Sequence, residues 1–197
     1  MDAIVFLADG FEEIEALTVV DYLRRAQVSV FTVAVPCKTM KDGNTVTAAH
    51  SVTVTADMTF NDFERDYASR LPDLVYIPGG MPGALNIAEC GKAISFIKKC
   101  FDAGKYVSAI CAAPAVVLSP TGILNGRRWT CYPGMQNQYA GATLPLSTYT
   151  EDVPFVTDGT VITGRGPGCA EQFAMELVRL LCGEETAAQI KKASIQR

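Results

Sequence analysis

A thiol at a sharp turn between an apolar strand and a helix is placed for nucleophilic chemistry. The chain has such a place at residues 106–118, YVSAICAAPAVVL. The apolar run over residues 106–110 leads into Cys111, followed by the small Ala112 and Ala113, then Pro114 and an apolar stretch over 115–118. Proline suits a first helical turn, where its missing N–H is not needed. Small neighbours let the backbone turn tightly and leave the turn's side chain exposed. That is the logic of a nucleophile elbow, with sulfur in place of the serine hydroxyl. A thiol at a helix N-terminus meets free N–H groups and the positive end of the dipole, which predicts a lowered pKa. The same stretch also fits a small buried hydrophobe, the usual role of a free cysteine. By itself it does not decide between the two.

Covalent catalysis by a thiol needs an acid/base partner and donors for an oxyanion. Glu12, Glu13 and Glu15 follow the first apolar run, and Gly79 and Gly80 lie in a proline- and glycine-rich stretch, PGGMPG, at 78–83. Glycine N–H groups after a strand can face a cavity. Glu12 and Glu13 read as solvated first-turn charges that favour the helix dipole. Glu15 adjoins an apolar stripe made by Ile14, Leu17, Val20 and Tyr22 or Leu23, so its carboxyl is expected to stay protonated at neutral pH and to exchange a proton with Cys111. His50 is the one histidine, and it reads as an exposed strand residue. Cys169, at a helix start, could also be acidified, with Glu171 as the only nearby acid. It reads otherwise as core filler, and Cys131 is a possible resolving thiol. Arg165 is expected to pair with acids at a turn.

The elements that must hold these groups alternate between strand and helix. Residues 3–8 and 74–77 are short apolar runs, as in parallel strands buried on both faces. Residues 11–27 have helical periodicity, with acids in the first turn and Arg24 and Arg25 in the last. A strand follows at 28–35. Residues 36–57 hold a turn signal, Lys41-Asp42-Gly43-Asn44, and β-rich pieces, predicting a small antiparallel excursion at the sheet edge. Residues 61–70 read as a loop with a short helical turn, 91–102 as a helix and 129–134 as a short strand and turn. Residues 155–163 read as a hairpin turning at Asp158-Gly159, and 170–182 and 184–192 as helices. The prediction is one domain over 1–197, an α/β three-layer sandwich around a mostly parallel sheet. Ligands of such sheets bind at the carboxyl ends of the strands. The loops carrying Glu15, Gly80 and Cys111 all lie there.

Composition narrows the function classes. Hydrophobic residues make up 49% and charged ones 19%, with net charge −4, which fits a globular chain with no footprint for nucleic acid or anionic membranes. No apolar run approaches the length of a membrane span. The N-terminal MDAIVFLADG is not a signal peptide. Seven cysteines without CxxC spacing argue against a disulfide scaffold or a zinc site and for a reducing, cytoplasmic setting. The glycine stretch lacks the lysine and hydroxyl of a phosphate loop.

Four motifs together, ADGFEEIEA, VYIPGGMPGA, SAICAAPAVVL and TGRGPGCAEQFA, in order along nearly the whole chain, resemble the ThiJ/PfpI family. The resemblance implies a flavodoxin-like sandwich and usually a homodimer. It implies Cys111 as an oxidisable nucleophile, Glu15 as its protonated partner, and the N–H groups of Gly80 and Ala112 as the oxyanion site. Family members act as cofactor-free glyoxalases on methylglyoxal-type α-oxoaldehydes, or are described as deglycases, redox-responsive chaperones or, in one branch, proteases. No metal or cofactor is implied. The protease branch has a histidine where this chain has Ala112, which argues against a Cys-His protease. Some relatives have a histidine where this chain has Tyr132, whose hydroxyl could donate to a substrate oxygen. Relatives may also carry a basic residue reaching across the dimer near the position of His50.

Overall fold

The computed structural model describes residues 1–40, 43–140, 144 and 146–196. Strand β1, Asp2–Leu7, leads to helix α1, Glu13–Arg25, and back to β2, Ser29–Ala34. The edge excursion is a hairpin of β3, Thr45–Thr47, and β4, Thr53–Thr55. The Lys41-Asp42 part of the predicted turn signal lies outside the described residues. Next come β5, Met58–Thr59, and α2, Phe60–Asp66, then β6, Leu74–Ile77. Helices α3, Gly83–Glu89, and α4, Gly91–Asp102, lead to β7, Tyr106–Ile110. After it come β8, Arg128–Trp129, and β9, Thr148–Tyr149, then the hairpin of β10, Phe155–Asp158, and β11, Val161–Gly164. Helices α5, Ala170–Cys182, and α6, Glu184–Ala193, follow.

Seven strands form one sheet in the order β5-β2-β1-β6-β7-β11-β10, parallel throughout except between β10 and β11. The five inner strands, counted along the chain, run 2-1-3-4-5, the flavodoxin-like order. The period-2 alternation of β1 shows why its run is continuously apolar. Ile4, Phe6 and Ala8 enter the core under α2, α3 and α4, while Ala3, Val5 and Leu7 enter the core under α1 and α5. Both faces are dry, so every position from Ala3 onward is apolar. Val75 and Ile77 of β6 point to the first core, and Leu74 and Tyr76 to the second.

Several expectations change. In α1, Ile14 and Leu17 are 56% and 40% exposed, while Glu15, Ala16, Val19 and Leu23 are fully buried. The inward stripe is therefore rotated from the predicted one, and Glu15 lies within it rather than beside it. Residues 60–66 form a two-turn helix, capped by the Thr59 hydroxyl, which accepts from the Asp62 N–H. Helix α3 replaces the end of the expected glycine loop. Cys111 is followed not by an α-helix but by a π-helical turn over Pro114–Leu118. Asp158 pairs with Val161, so the hairpin loop is Gly159-Thr160, with the positive φ at Gly159.

Candidate active site

Cys111 terminates β7 with a φ of 62°. For a non-glycine residue this left-handed conformation is strained, and it persists only where the surroundings hold it. They do so from both sides. The Cys111 N–H donates to Gly164 O at 2.9 Å, and its carbonyl accepts from the Tyr132 N–H at 2.8 Å. The thiol is part-buried, with the N–H groups of Gly80 and Ala112 directed at it.

Glu15 reaches the same point from α1. It is fully buried. Oε2 accepts from the Gly79 N–H at 2.8 Å, and Oε1 has no hydrogen-bond partner. The two neighbouring glycines therefore divide the work: Gly79 holds the carboxyl and Gly80 faces the sulfur. A Cβ added to Gly79 would lie 2.6 Å from Cys111 Cβ and 2.7 Å from Glu15 Oε2. Cys111 and the Glu15 carboxyl thus both pack against Gly79, leaving no room for a side chain there. Gly80, at φ 91°, packs so closely on the chain before α1 that a Cβ would collide with Glu12 N, Gly10 O and Phe11 C. This contact, with Glu12 N–H donating to Gly79 O at 3.0 Å, fixes the Glu15 loop against the glycine loop.

Burial pushes the Glu15 carboxyl up to about 8, against hydrogen bonds from Gly79 and Cys111 that pull it down. A largely protonated carboxyl at neutral pH follows. The expected fall in the Cys111 pKa does not occur. Burial and the neighbouring Glu15 push the thiol up, and the Ala112 and Gly80 N–H groups only partly offset them. The short π-helical turn gives the thiol no α-helix dipole to lean on. At neutral pH the thiol therefore keeps its proton, beside a carboxyl that largely keeps its own.

Glu13 is not a solvated charge. It is buried and accepts from the His50 backbone N–H at 2.7 Å, with His50 Nδ1 2.9 Å away. Burial alone would raise its pKa, but the hydrogen bonds from His50 hold it below the usual carboxylate value. His50 is exposed, in the turn between β3 and β4 rather than within a strand, and both glutamates raise its pKa. Tyr132 is 47% exposed and packs over Gly166, where a Cβ would lie 3.4 Å from its ring. Cys131 is buried, its S–H directed at Tyr132 O at 3.4 Å, and burial pushes it up to about 12. Cys169 is raised by burial, not acidified, and Glu171 is engaged by the Tyr22 hydroxyl at 2.8 Å. Arg165 pairs with Asp152 at 2.7 Å. The carboxyl clamp by the Gly79 N–H and the pinning of Cys111 by Gly164 and Tyr132 were missed. Glycine after a strand signalled the first only in outline, and nothing in the order of residues signals the second.

A flavodoxin-like sheet whose strand ends present a strained cysteine beside a buried carboxyl defines a class of cysteine-elbow α/β proteins. The chain belongs to the DJ-1/PfpI family, whose model matches residues 1–180. It is 34% identical to Protein dj-1beta of Drosophila melanogaster over 96% of this chain and 94% of that protein. It is 34% identical to Protein DJ-1 homolog B of Arabidopsis thaliana over 98% of this chain but 40% of that protein, so it spans less than half of that relative. A deglycase of Pyrococcus abyssi is 31% identical over 92% of this chain and 99% of its own. Among solved structures, a DJ-1 superfamily protein of Salmonella typhimurium superposes with a TM-score of 0.86 at 31% identity, covering 100% of this chain and 98% of the other. No helix among the described residues is long and apolar enough to cross a membrane.

Proposed function

We propose that the chain is a cofactor-independent glyoxalase or deglycase acting on methylglyoxal-type α-oxoaldehydes. The observation that carries this is the close packing of Cys111 and Glu15 against Gly79, with the Gly80 and Ala112 N–H groups directed at the sulfur. The archaeal relative named a deglycase supports the same class. The reaction starts from the fraction of the chain in which Glu15 is ionised: the S–H proton passes to its carboxylate as sulfur bonds to the aldehyde carbon. The oxygen of that carbon takes negative charge against the Gly80 and Ala112 N–H groups, then accepts the proton to give a hemithioacetal. Glu15 next removes the C–H proton of that carbon while the ketone oxygen is protonated, giving an enediol. A proton returned to the second carbon, with loss of the hydroxyl proton from the first, leaves a 2-hydroxyacyl thioester. Water cleaves it to the 2-hydroxy acid and restores the thiol. The overall change adds one water, with one carbon oxidised and its neighbour reduced, so no external oxidant or reductant is needed. In this reading the hydroxyl of the half-exposed Tyr132 donates to a substrate oxygen.

A second reading uses the same sulfur as a redox sensor, in a stress-response protein or chaperone. The N–H groups of Gly80 and Ala112, with a protonated Glu15, are the donors a sulfinate would require. Seven free cysteines suit a reducing compartment such as the cytoplasm. A homodimer completes the proposal, with the exposed Ile14 and Leu17 of α1 as its apolar contact.

The test is conversion of methylglyoxal to lactate by the purified, reduced chain without added thiol. Cys111→Ser and Glu15→Gln should each lower turnover by at least about a hundredfold, the range typical for removing a nucleophile or general base. Unchanged turnover in either folded variant overturns the assignment. Peroxide oxidation spread evenly over the seven cysteines overturns the sensor reading.

A further inference from the structure

We propose that Glu12, Glu13 and His50 form a binding site for a divalent first-row transition ion, distinct from the Cys111 site. The three residues come from two elements that are distant in sequence. Glu12 and Glu13 lie at the start of α1, and His50 lies in the turn between β3 and β4. One ligand atom from each converges with the other two, all within 4.8 Å of one another. His50 Nδ1 is 2.9 Å from Glu13 Oε2 and 3.6 Å from Glu12 Oε2.

The position of the imidazole is built rather than incidental. Glu13 uses Oε1 to hold the His50 backbone N–H, leaving Oε2 for the ring side. The turn is tied to the chain before α1 by Ala49 N–H donating to Phe11 O at 2.8 Å, and it closes through Ser51 N–H on Ala48 O. Two carboxylates with side chains only 12% and 11% exposed stand together. Among the described residues no lysine or arginine pairs with either, and the imidazole is their sole neighbouring base. Crowding two carboxylates out of water is unfavourable unless a cation compensates them. An imidazole nitrogen with carboxylate oxygens suits zinc, cobalt, nickel or manganese rather than a thiol-seeking or all-oxygen ion. Two ligands about 2.0–2.2 Å from one ion stand roughly 3.0–3.5 Å apart, close to the 2.9 and 3.6 Å that separate His50 Nδ1 from Glu13 and Glu12, so the ion would replace the His50–Glu13 hydrogen bond with little rearrangement. The His50 side chain, 72% exposed, is free to turn, and solvent can fill the remaining positions. Such an ion would tie the edge hairpin to the first turn of α1.

The test is a Co²⁺ titration of the chelator-stripped, reduced full chain, followed by visible absorption and thermal melting. One Co²⁺ per chain is expected, with d–d bands and no thiolate-to-cobalt charge transfer. At a hundredfold excess over Kd the melting temperature should rise by about 5 °C or more. His50→Ala and Glu12→Gln should each weaken binding at least about tenfold. His50→Gln, which keeps a side chain able to hydrogen-bond Glu13, should weaken it as much as His50→Ala. Glu184→Gln, at a remote exposed acid, should leave it unchanged. Absence of Co²⁺ binding overturns the proposal. So does binding of equal strength in His50→Ala, or binding marked by the thiolate band, which would assign the ion to the cysteines.

Discussion

Gly79→Ala is the sharpest perturbation of the site, because it adds one methyl group and no charge. Gly79 has no positive φ, so the change does not strain the backbone by itself. The new Cβ would lie 2.6 Å from Cys111 Cβ, 2.7 Å from Glu15 Oε2 and 3.0 Å from Ile110 O, where ordinary contact begins at 3.4 Å. The sulfur-bearing residue is pinned at both backbone groups, to Gly164 and Tyr132, and cannot retreat freely. The Glu15 carboxyl is held to the Gly79 N–H itself. The two must therefore separate by roughly 0.8 Å or more, or the β6 end must shift. Overpacking of this kind costs about 1–3 kcal/mol. A misplacement approaching 1 Å lowers a proton-transfer reaction by about a hundredfold. The assay pairs turnover of methylglyoxal with urea unfolding of the same preparation. The expected result is a folded protein, destabilised within that range, with kcat/KM down by about two orders of magnitude. A folded Gly79→Ala protein with kcat/KM within twofold of the parent would refute the claim that the close approach of carboxyl and thiol at Gly79 makes the reaction site.

Two further outcomes follow. The folded-state pKa of Glu15, about 8, lies above its ordinary value of 4.5, so the protonated form is the one that folding favours. Stability from this group is full below pH 4.5 and is lost as pH rises through about 8. The loss is at most about 1.4 kcal/mol per pH unit, or roughly 4 kcal/mol between pH 5 and 8. Glu15→Gln does not titrate, so urea unfolding with chelator present should show the variant gaining on the parent by up to that amount across the window. Parallel curves would mean that Glu15 ionises in the fold as readily as in water. For the dimer, Ile14→Asp with Leu17→Asp should halve the mass measured by light scattering, and a mass unchanged from the parent would exclude that face.

How much of the site the sequence revealed follows from which interactions are local. Cys111 was legible because a strand, two alanines and a proline make an elbow within a dozen residues. β1 and β6 were legible because burial on both faces demands an unbroken apolar run. The α1 stripe was misread because Ile14 and Leu17 satisfy helical spacing as well as the true stripe does. The packing of α1 against the sheet and α5 selects Ala16, Val19 and Leu23 as the inward set. That rotation is also what turns Glu15 fully inward, so the error in the helix and the burial of the carboxyl have one cause. The lowered thiol pKa was inferred from a helix dipole, a local feature. The structure reverses it through Glu15 and burial, which are tertiary. The Glu13–His50 pair, 37 positions apart, had no local signal at all. Where a residue's chemistry depends on a partner from another strand end, sequence spacing can name the residue but not its protonation. At this site those partners are Gly79 for the carboxyl and Gly164 with Tyr132 for the elbow. The protonation of Cys111 is therefore a property of the loops converging on it, and single substitutions in those loops should shift its thiol pKa.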